Sequence, residues 1–351
     1  MRVGYDAAPL LDAPTGVGRY ASELAMALEE RGVELIKFAV AWGAPSVPGV
    51  RRWKVPARAA RASWRRWGRP PIERLTGPVD LVHATNFVLP ALREARGVVT
   101  VHDLSFLRDD TWPGGHRLRD LVPWSVARAE RVLVPTNAIG AEVVQRLRVA
   151  EDKVAVTPEG VASVFFGATP LGSAALAGLG IPGRFAVAVG TIEPRKNLPT
   201  LLEAWRRARG DLEGWTLVLA GPKGWGPELP KTSGVVPIGW VGDETLPGLL
   251  AAADVFCYPS RYEGFGLPPL EAMAAGTPAI VGRYSAADEV LGDAAWLVDP
   301  DDADGIAEAL TRLAGNDALA RSYALAGKAR AAGYTWARTA ATTIAAYRSI
   351  S

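Results

Sequence analysis

Residues 254–278 read DVFCYPSRYEGFGLPPLEAMAAGTP. The apolar run Asp254–Tyr258 predicts a strand. The residues after Gly266 predict a helix with Pro268 and Pro269 in its first turn, where a missing N–H costs nothing. Glu263 then lies on the loop at the strand's C-terminal end, and Glu271 lies about one turn into the helix. The amides of Gly264, Phe265, Gly266 and Leu267 border a helix N-terminus, which favours an anion. In an open α/β sheet, ligands bind at that edge. For the spacing alone, a tight turn with a solvated glutamate on each side is the plainer alternative.

The same strand–loop–helix pattern recurs on both sides of this stretch. Upstream, candidate strands are Arg2–Asp6, Glu34–Val40, Asp80–Ala84, Val98–His102, Arg131–Pro135 and Lys153–Thr157, with helical patterns such as Gly18–Arg31 and Arg117–Ala129 between them. After a small, uncharged segment, Gly167–Pro182, strands resume at Phe185–Gly190, Thr216–Ala220, Val235–Gly239, Asp254–Tyr258, Ala279–Val281 and Trp296–Val298. Continuous apolar strands alternating with helices predict parallel sheets covered on both faces. The expected organisation is a first Rossmann-like domain over 1–166, a linker over 167–182, a second over 183–332 and a terminal helix over 333–351. A chain of 351 residues can fill two such cores.

A formal net charge of +2 gives no bulk case for nucleic-acid binding. The N-terminus reads as a first strand, not a signal peptide, and no apolar run is long enough to span a bilayer. The single cysteine, Cys257, sits in an apolar strand and reads as packing. The expected location is cytoplasmic.

Four further stretches carry candidate chemistry. Gly16-Val17-Gly18-Arg19-Tyr20-Ala21 matches a dinucleotide fingerprint. However, the loop from Asp6 is long, and the second strand ends in Ala41-Trp42 without an acid for a ribose. What remains is a glycine-rich loop at a helix N-terminus, where backbone can approach a phosphate or sugar closely. His102 ends a strand and is the best histidine for a catalytic edge, with a capping role as the alternative. His83 ends a neighbouring strand, and His116 lies in a loop. These three share no short spacing, so no metal site is expected. Arg195 and Lys196, in GTIEPRKN, leave the first strand of the second domain and suit a diphosphate.

The fourth is Val50–Leu75, with nine Lys/Arg against one Glu. Pro56 starts a helix there. Ala57, Ala60, Trp64 and Trp67 form one stripe, and Arg58, Arg61 and Arg65 an adjacent one. Such a helix could lie on an anionic membrane or contact an acceptor, or dock on its own domain with its arginines in solvent.

GTIEPRKNL, Gly239–Val241, PSRYEGFGLPPLEAMAAGTP, DEVLGDAAWLVDP, TGVGRY and VHDLSF together resemble glycosyltransferase family 4 over nearly the whole chain. The resemblance implies the GT-B fold: two Rossmann-like domains facing across a cleft, with the last helix crossing back to the N-terminal domain. It implies a retaining hexosyltransferase, mannose favoured, that takes a nucleotide-diphosphate sugar as donor and needs no metal or other cofactor. The acceptor would be a glycan or a lipid-linked acceptor. Glu263 would lie at the transferred sugar, Glu271 at the ribose, and Arg195 and Lys196 at the diphosphate. The amides of Gly264–Leu267 would touch sugar and phosphate, and backbone near Trp240-Val241 the base. Gly16 and Gly18 would complete the phosphate pocket, and His102 would meet the sugar. Asp288-Glu289 departs from the Pro-Glu common in the family. A non-catalytic nucleotide-sugar binder on the same fold, or a nicotinamide oxidoreductase, are the other readings.

Overall fold

A computed structural model describes residues 1–11, 15–108, 115–226 and 228–350. The chain forms two units, one of Met1–Gly160 with Trp336–Ser351 and one of Val161–Thr335. In the first, seven strands run β1 (Arg2–Asp6), β2 (Glu34–Val40), β3 (Arg51–Trp53), β4 (Leu81–Ala84), β5 (Arg96–Thr100), β6 (Arg131–Val134) and β7 (Val154–Val156). Their order in the sheet is β3-β2-β1-β4-β5-β6-β7, and every pair is parallel. Helices of this unit include α1 (Gly16–Glu30), α2 (Ala57–Trp67), α3 (Glu73–Thr76), α4 (Gly115–Arg128) and α5 (Asn137–Leu147).

The second unit holds β8 (Phe185–Val189), β9 (Thr216–Ala220), β10 (Val235–Gly239), β11 (Val255–Tyr258), β12 (Ala279–Gly282) and β13 (Trp296–Val298). They form a parallel sheet in the order β10-β9-β8-β11-β12-β13. Its helices are α6 (Ser173–Gly178), α7 (Leu198–Ala208), α8 (Leu246–Ala252), α9 (Leu267–Ala275), α10 (Ala287–Val290), α11 (Ala303–Gly315) and α12 (Asp317–Ala331). Every residue of β9, β11 and β12 is buried, as expected of strands covered on both faces. One core runs from α7 (Leu201, Trp205) through β9 (Leu217, Leu219) to α11 (Ile306, Leu310).

Both sheets reverse direction beside their first strand, between β1 and β4 and between β8 and β11. Loops leaving those two strands diverge to opposite faces, which opens a crevice at their carboxyl ends. The functional loops sit there for that reason.

Two expectations are corrected. Segment 167–182, expected to be a linker, lies within the second unit and contains α6. Its Leu171 amide bonds to Gly248 O at 3.0 Å, and Ile181 is buried. Strand β3 was not expected. Its RRW sequence lacks an apolar run because it is an edge strand, with Arg51 reaching Leu75 O and Thr76 O instead of a core.

The last helix, α13 (Trp336–Arg348), belongs to the first unit and packs on α1 and β6. Its Tyr347 hydroxyl meets His83 Nδ1 at 2.7 Å, while His83 Nε2 meets Thr100 Oγ1 at 2.7 Å. Burial, with the nearby His102 adding to it, pushes His83 down to about 3, so this ring is neutral and structural. Tyr347→Phe would leave a buried ring nitrogen without its partner. We expect a loss of about 1–3 kcal/mol, read by urea unfolding together with faster hydrogen exchange in β4. Unchanged exchange there would mean that α13 docks without this bond.

Candidate active site

The loops after β8 and β11 converge at the carboxyl edge of the second sheet. Glu193 precedes a short 3-10 turn, Pro194–Lys196, that carries Arg195 and Lys196. Asn197 follows with φ +54°, the left-handed conformation that Asn tolerates, and turns the chain into α7. The loop after β11 brings Glu263 against both cations. Its Oε1 accepts from Lys196 Nζ at 2.6 Å, Ser260 Oγ at 2.6 Å and the Tyr258 hydroxyl at 2.8 Å. Its Oε2 accepts from Arg195, whose Nε also lies 2.5 Å from Glu193 Oε1. Lys196 Nζ further donates to the Tyr258 hydroxyl.

Glu193, Lys196, Tyr258, Ser260 and Glu263 are buried, and Arg195 is half-buried. Burial alone would raise the Glu263 carboxyl, but Arg195, Lys196 and the Ser260 hydroxyl overcome it and hold the group down at about 2. Lys196 is lowered, by burial first and by Arg195 beside it, while Glu263 and Glu193 oppose the shift. Glu263 is therefore an anion at neutral pH. It can stabilise or attack a developing positive charge, but it cannot donate a proton.

From Glu263 the chain runs through buried Gly264 and Phe265 to Gly266, which caps α9 with φ +99°. A Cβ on Gly266 would strike the Tyr284 hydroxyl, so glycine is required on two grounds. Pro268 and Pro269 follow Leu267 and have no N–H. Of the four end amides of a helix, α9 thus keeps those of Gly266 and Leu267. Glu271, one turn further, is 2% exposed. Trp240, after β10, is 54% exposed, and Val241 beside it is half-buried. The Asp288-Glu289 departure leaves a helix in place: α10 forms, Asp288 pairs with Arg283, and Glu289 O accepts from the Tyr334 hydroxyl at 3.2 Å.

In the first unit, His102 follows β5 and is buried. Its Nδ1 lies 3.2 Å from Glu159 Oε1, its Nε2 lies 2.9 Å from Thr85 O, and Tyr20 packs edge-on at 4.6 Å. Burial lowers its pKa, yet the Glu159 bond and charge, with Thr85 O and Asp103, outweigh it and raise the value above the ordinary 6.5. Gly16 and Gly18 open α1. Thr15 Oγ1 caps the helix by accepting from the Gly18 amide at 3.1 Å, and a Cβ on Gly18 would press on Pro9 O. Residues 12–14 of the preceding loop and Gly114 before His116 lie outside the described residues.

Helix α2 docks by Ala60 and Trp64, which pack with Phe38, Ile72 and Val82. The Trp64 indole donates to Pro70 O at 3.0 Å. Trp67 is not part of this contact and is 68% exposed. Arg65 pairs with Asp120 at 2.9 Å, Arg58 is exposed and Arg61 is half-buried.

Sequence reasoning brought out Glu263, Arg195, Lys196 and His102 but missed their partners Glu193, Tyr258, Ser260 and Glu159. The first three are neighbours of singled-out residues. Glu159 is 57 positions from His102 and had no local signal beyond following a strand.

Two parallel, Rossmann-like sheets with loops gathered at the carboxyl edge of their reversal points make up the GT-B fold. Residues 14–163 match the family described as Glycosyltransferase Family 4, and residues 183–316 match Glycosyl transferases group 1. The chain is 31% identical over 286 residues to the O-antigen chain mannosyltransferase B of Escherichia coli, covering 76% of this chain and 74% of that one. It is 27% identical to a phosphatidyl-myo-inositol mannosyltransferase of Mycobacterium leprae, covering 100% and 97%. A crystal structure of Anabaena HepE with UDP and glucose superimposes with TM-score 0.72 at 16% identity, covering 99% and 100%. The chain belongs to glycosyltransferase family 4. Membership decides against the nicotinamide oxidoreductase.

The His102–Glu159 pair is testable apart from activity. Because its folded pKa is raised, ionised His102 contributes stability that is full below pH 6.5 and is lost as pH rises through the folded value. By NMR, His102 should titrate above its ordinary value in the parent. In Glu159→Gln it should fall below, since burial is then less opposed. An unmoved midpoint would show that Glu159 does not hold this charge.

Proposed function

We propose that the protein moves a hexose, mannose favoured, from a nucleotide-diphosphate sugar to a glycan or lipid-linked acceptor, with retention and without a metal. The observation that carries this reading is the buried Glu263 carboxylate held ionised by Lys196 and Arg195 at the edge of β8 and β11. Breaking a sugar–phosphate bond builds positive charge on the anomeric carbon and negative charge on the leaving diphosphate. Glu263 answers the first. Arg195, Lys196 and the Gly266 and Leu267 amides answer the second without a metal ion. Two N–H groups of Lys196 are engaged by Glu263 and Tyr258, which leaves a third for a phosphate oxygen. Glu271 holds the ribose, the backbone at Trp240-Val241 meets the base, and Gly264 with Phe265 lines the donor's path in the second unit. His102 serves the sugar. The names of the two mannosyltransferase relatives favour mannose.

No helix among the described residues is long and apolar enough to cross a membrane. Contact with an anionic membrane would be peripheral, through exposed Arg58, Arg65 and Trp67 on α2, at the cytoplasmic face.

A panel of UDP- and GDP-sugars, with and without EDTA, tests the donor and the metal. Turnover with GDP-mannose that EDTA leaves unchanged is expected. Neither transfer nor hydrolysis with any nucleotide sugar would overturn the reading in favour of a non-catalytic binder.

Two substitutions separate the glutamates. Glu263→Ala should cut kcat by about 10²–10³ or more. Glu271→Ala should mainly raise the donor KM, by roughly tenfold. Parental kcat in Glu263→Ala would remove that carboxylate from the reaction.

A further inference from the structure

Asp6 ends β1, the strand between β2 and β4 where the first sheet reverses. Its carboxyl is half-buried, and Oδ1 accepts from the Ala8 amide at 3.0 Å. Oδ2 has no hydrogen-bond or ion-pair partner among the described residues. Arg61 acts on the group only from beyond ion-pair distance. Burial raises the carboxyl to about 6, against the Ala8 bond and that charge. Thr85, just past β4, ties the strand end in place. Its hydroxyl donates to Asp6 O at 2.8 Å, and its own O meets His102 Nε2 at 2.9 Å. The carboxyl therefore stands at the same edge as His102, and no step of the proposed transfer uses it.

The residue after Thr85, Asn86, is half-buried, and its side-chain amide has no hydrogen-bond partner among the described residues. Its Oδ1 is covered. A covered polar group without a partner costs free energy that a ligand can return, and the broad χ2 torsion of Asn lets either amide atom turn to meet one. The backbone that presents Asn86 is strained. Phe87 has φ +63°, and the Val88 amide bonds Asn86 O at 2.7 Å across it, a three-residue turn of a rare kind. Two other described non-glycine residues have positive φ, Arg148 and Asn197, and each stands at a helix end. Phe87 has no such local reason. It is held by its amide, which donates to Thr100 O at 3.0 Å, and by its ring against Phe106 and His102. Strain of this kind persists where the surroundings over-determine it, and it clusters at ligand sites.

An ionised carboxylate accepts hydrogen bonds, and an amide both gives and accepts them. Asp6 would repel a phosphate, and Arg61 would repel an ammonium. Neutral hydroxyls suit both Asp6 and Asn86. We infer that Asp6 and Asn86 hold hydroxyl groups of the acceptor's sugar beside His102, and that this sugar is uncharged where it meets them. This rests on the transferase reading and adds to it the side chains that select the acceptor. The test reads binding without donor, so the two can fail separately.

Methyl α-mannoside, methyl α-glucoside and methyl α-galactoside are titrated in turn into the full chain, with the Asn86 side-chain amide followed by NMR. At least one of them should move that resonance saturably in the parent. Asp6→Asn keeps an oxygen for the Ala8 amide and removes the charge, and it should weaken the binding by about tenfold or more. Asn86→Ala, followed through the Phe87 backbone amide, should weaken it by about the same factor. Backbone spectra of the two variants check that they fold. Mannose 6-phosphate should bind less tightly at this resonance than the neutral mannoside. Parental affinity in either variant would overturn the proposal. So would a parent in which none of these hexosides moves the Asn86 amide, or one in which mannose 6-phosphate moves it more tightly than the neutral sugar does.

Discussion

A carboxylate taken out of water must be answered, and the second unit is arranged to answer Glu263. Its four partners come from two loops, Arg195 and Lys196 after β8 and Tyr258 and Ser260 at the end of β11. Those loops meet only because β8 and β11 are neighbours in the sheet although 69 residues apart in their register, as in Val255 opposite Ala186 and Phe256 opposite Val187. Breaking one partner would leave charge buried without compensation, which costs far more than the pair contributes. Gly190 makes the arrangement possible at close range. Its φ of +144° admits few other residues, and the Lys196 stem runs 3.4 Å from where its Cβ would stand.

The first unit solves a similar problem with weaker chemistry. His102 follows β5 and is also held by a carboxylate from another loop. There the pair is a histidine whose charge depends on pH, whereas Glu263 is fixed as an anion. His83, one strand over, has both ring nitrogens consumed by Thr100 and Tyr347 and is pinned neutral. The two histidines thus have opposite roles. The difference lies in whether a carboxylate or a hydroxyl reaches the ring.

Much of this was legible in the sequence where the signal is local. Strands such as β1, β2, β9 and β13 match their apolar runs residue for residue. The α9 start was legible because two prolines and a glycine leave few other conformations. What was not legible depends on the fold. Strand β3 is a polar edge whose pairing comes from β2, not from its own residues. Glu159 meets His102 only through tertiary structure. Arg195 and Lys196 read as ligands for a diphosphate, and their pairing with Glu263 needed the neighbour relation of β8 and β11. On α2 the periodic stripe was read one turn too long, since Trp64 reaches the core and Trp67 does not.

The chain leaves the first unit after Gly160 and re-enters it at Trp336, with Val161 and Thr335 bridged side by side. The second unit is therefore an insertion between the body of the first and its last helix. All of its residues have been synthesised before α13, whereas the first unit lacks the helix that covers α1 and satisfies His83 until then. During synthesis, then, the later unit is the first to have its whole sequence available. Until α13 arrives, the earlier unit keeps an uncovered apolar face on α1, and the core that β1 and α1 begin is closed only by α13.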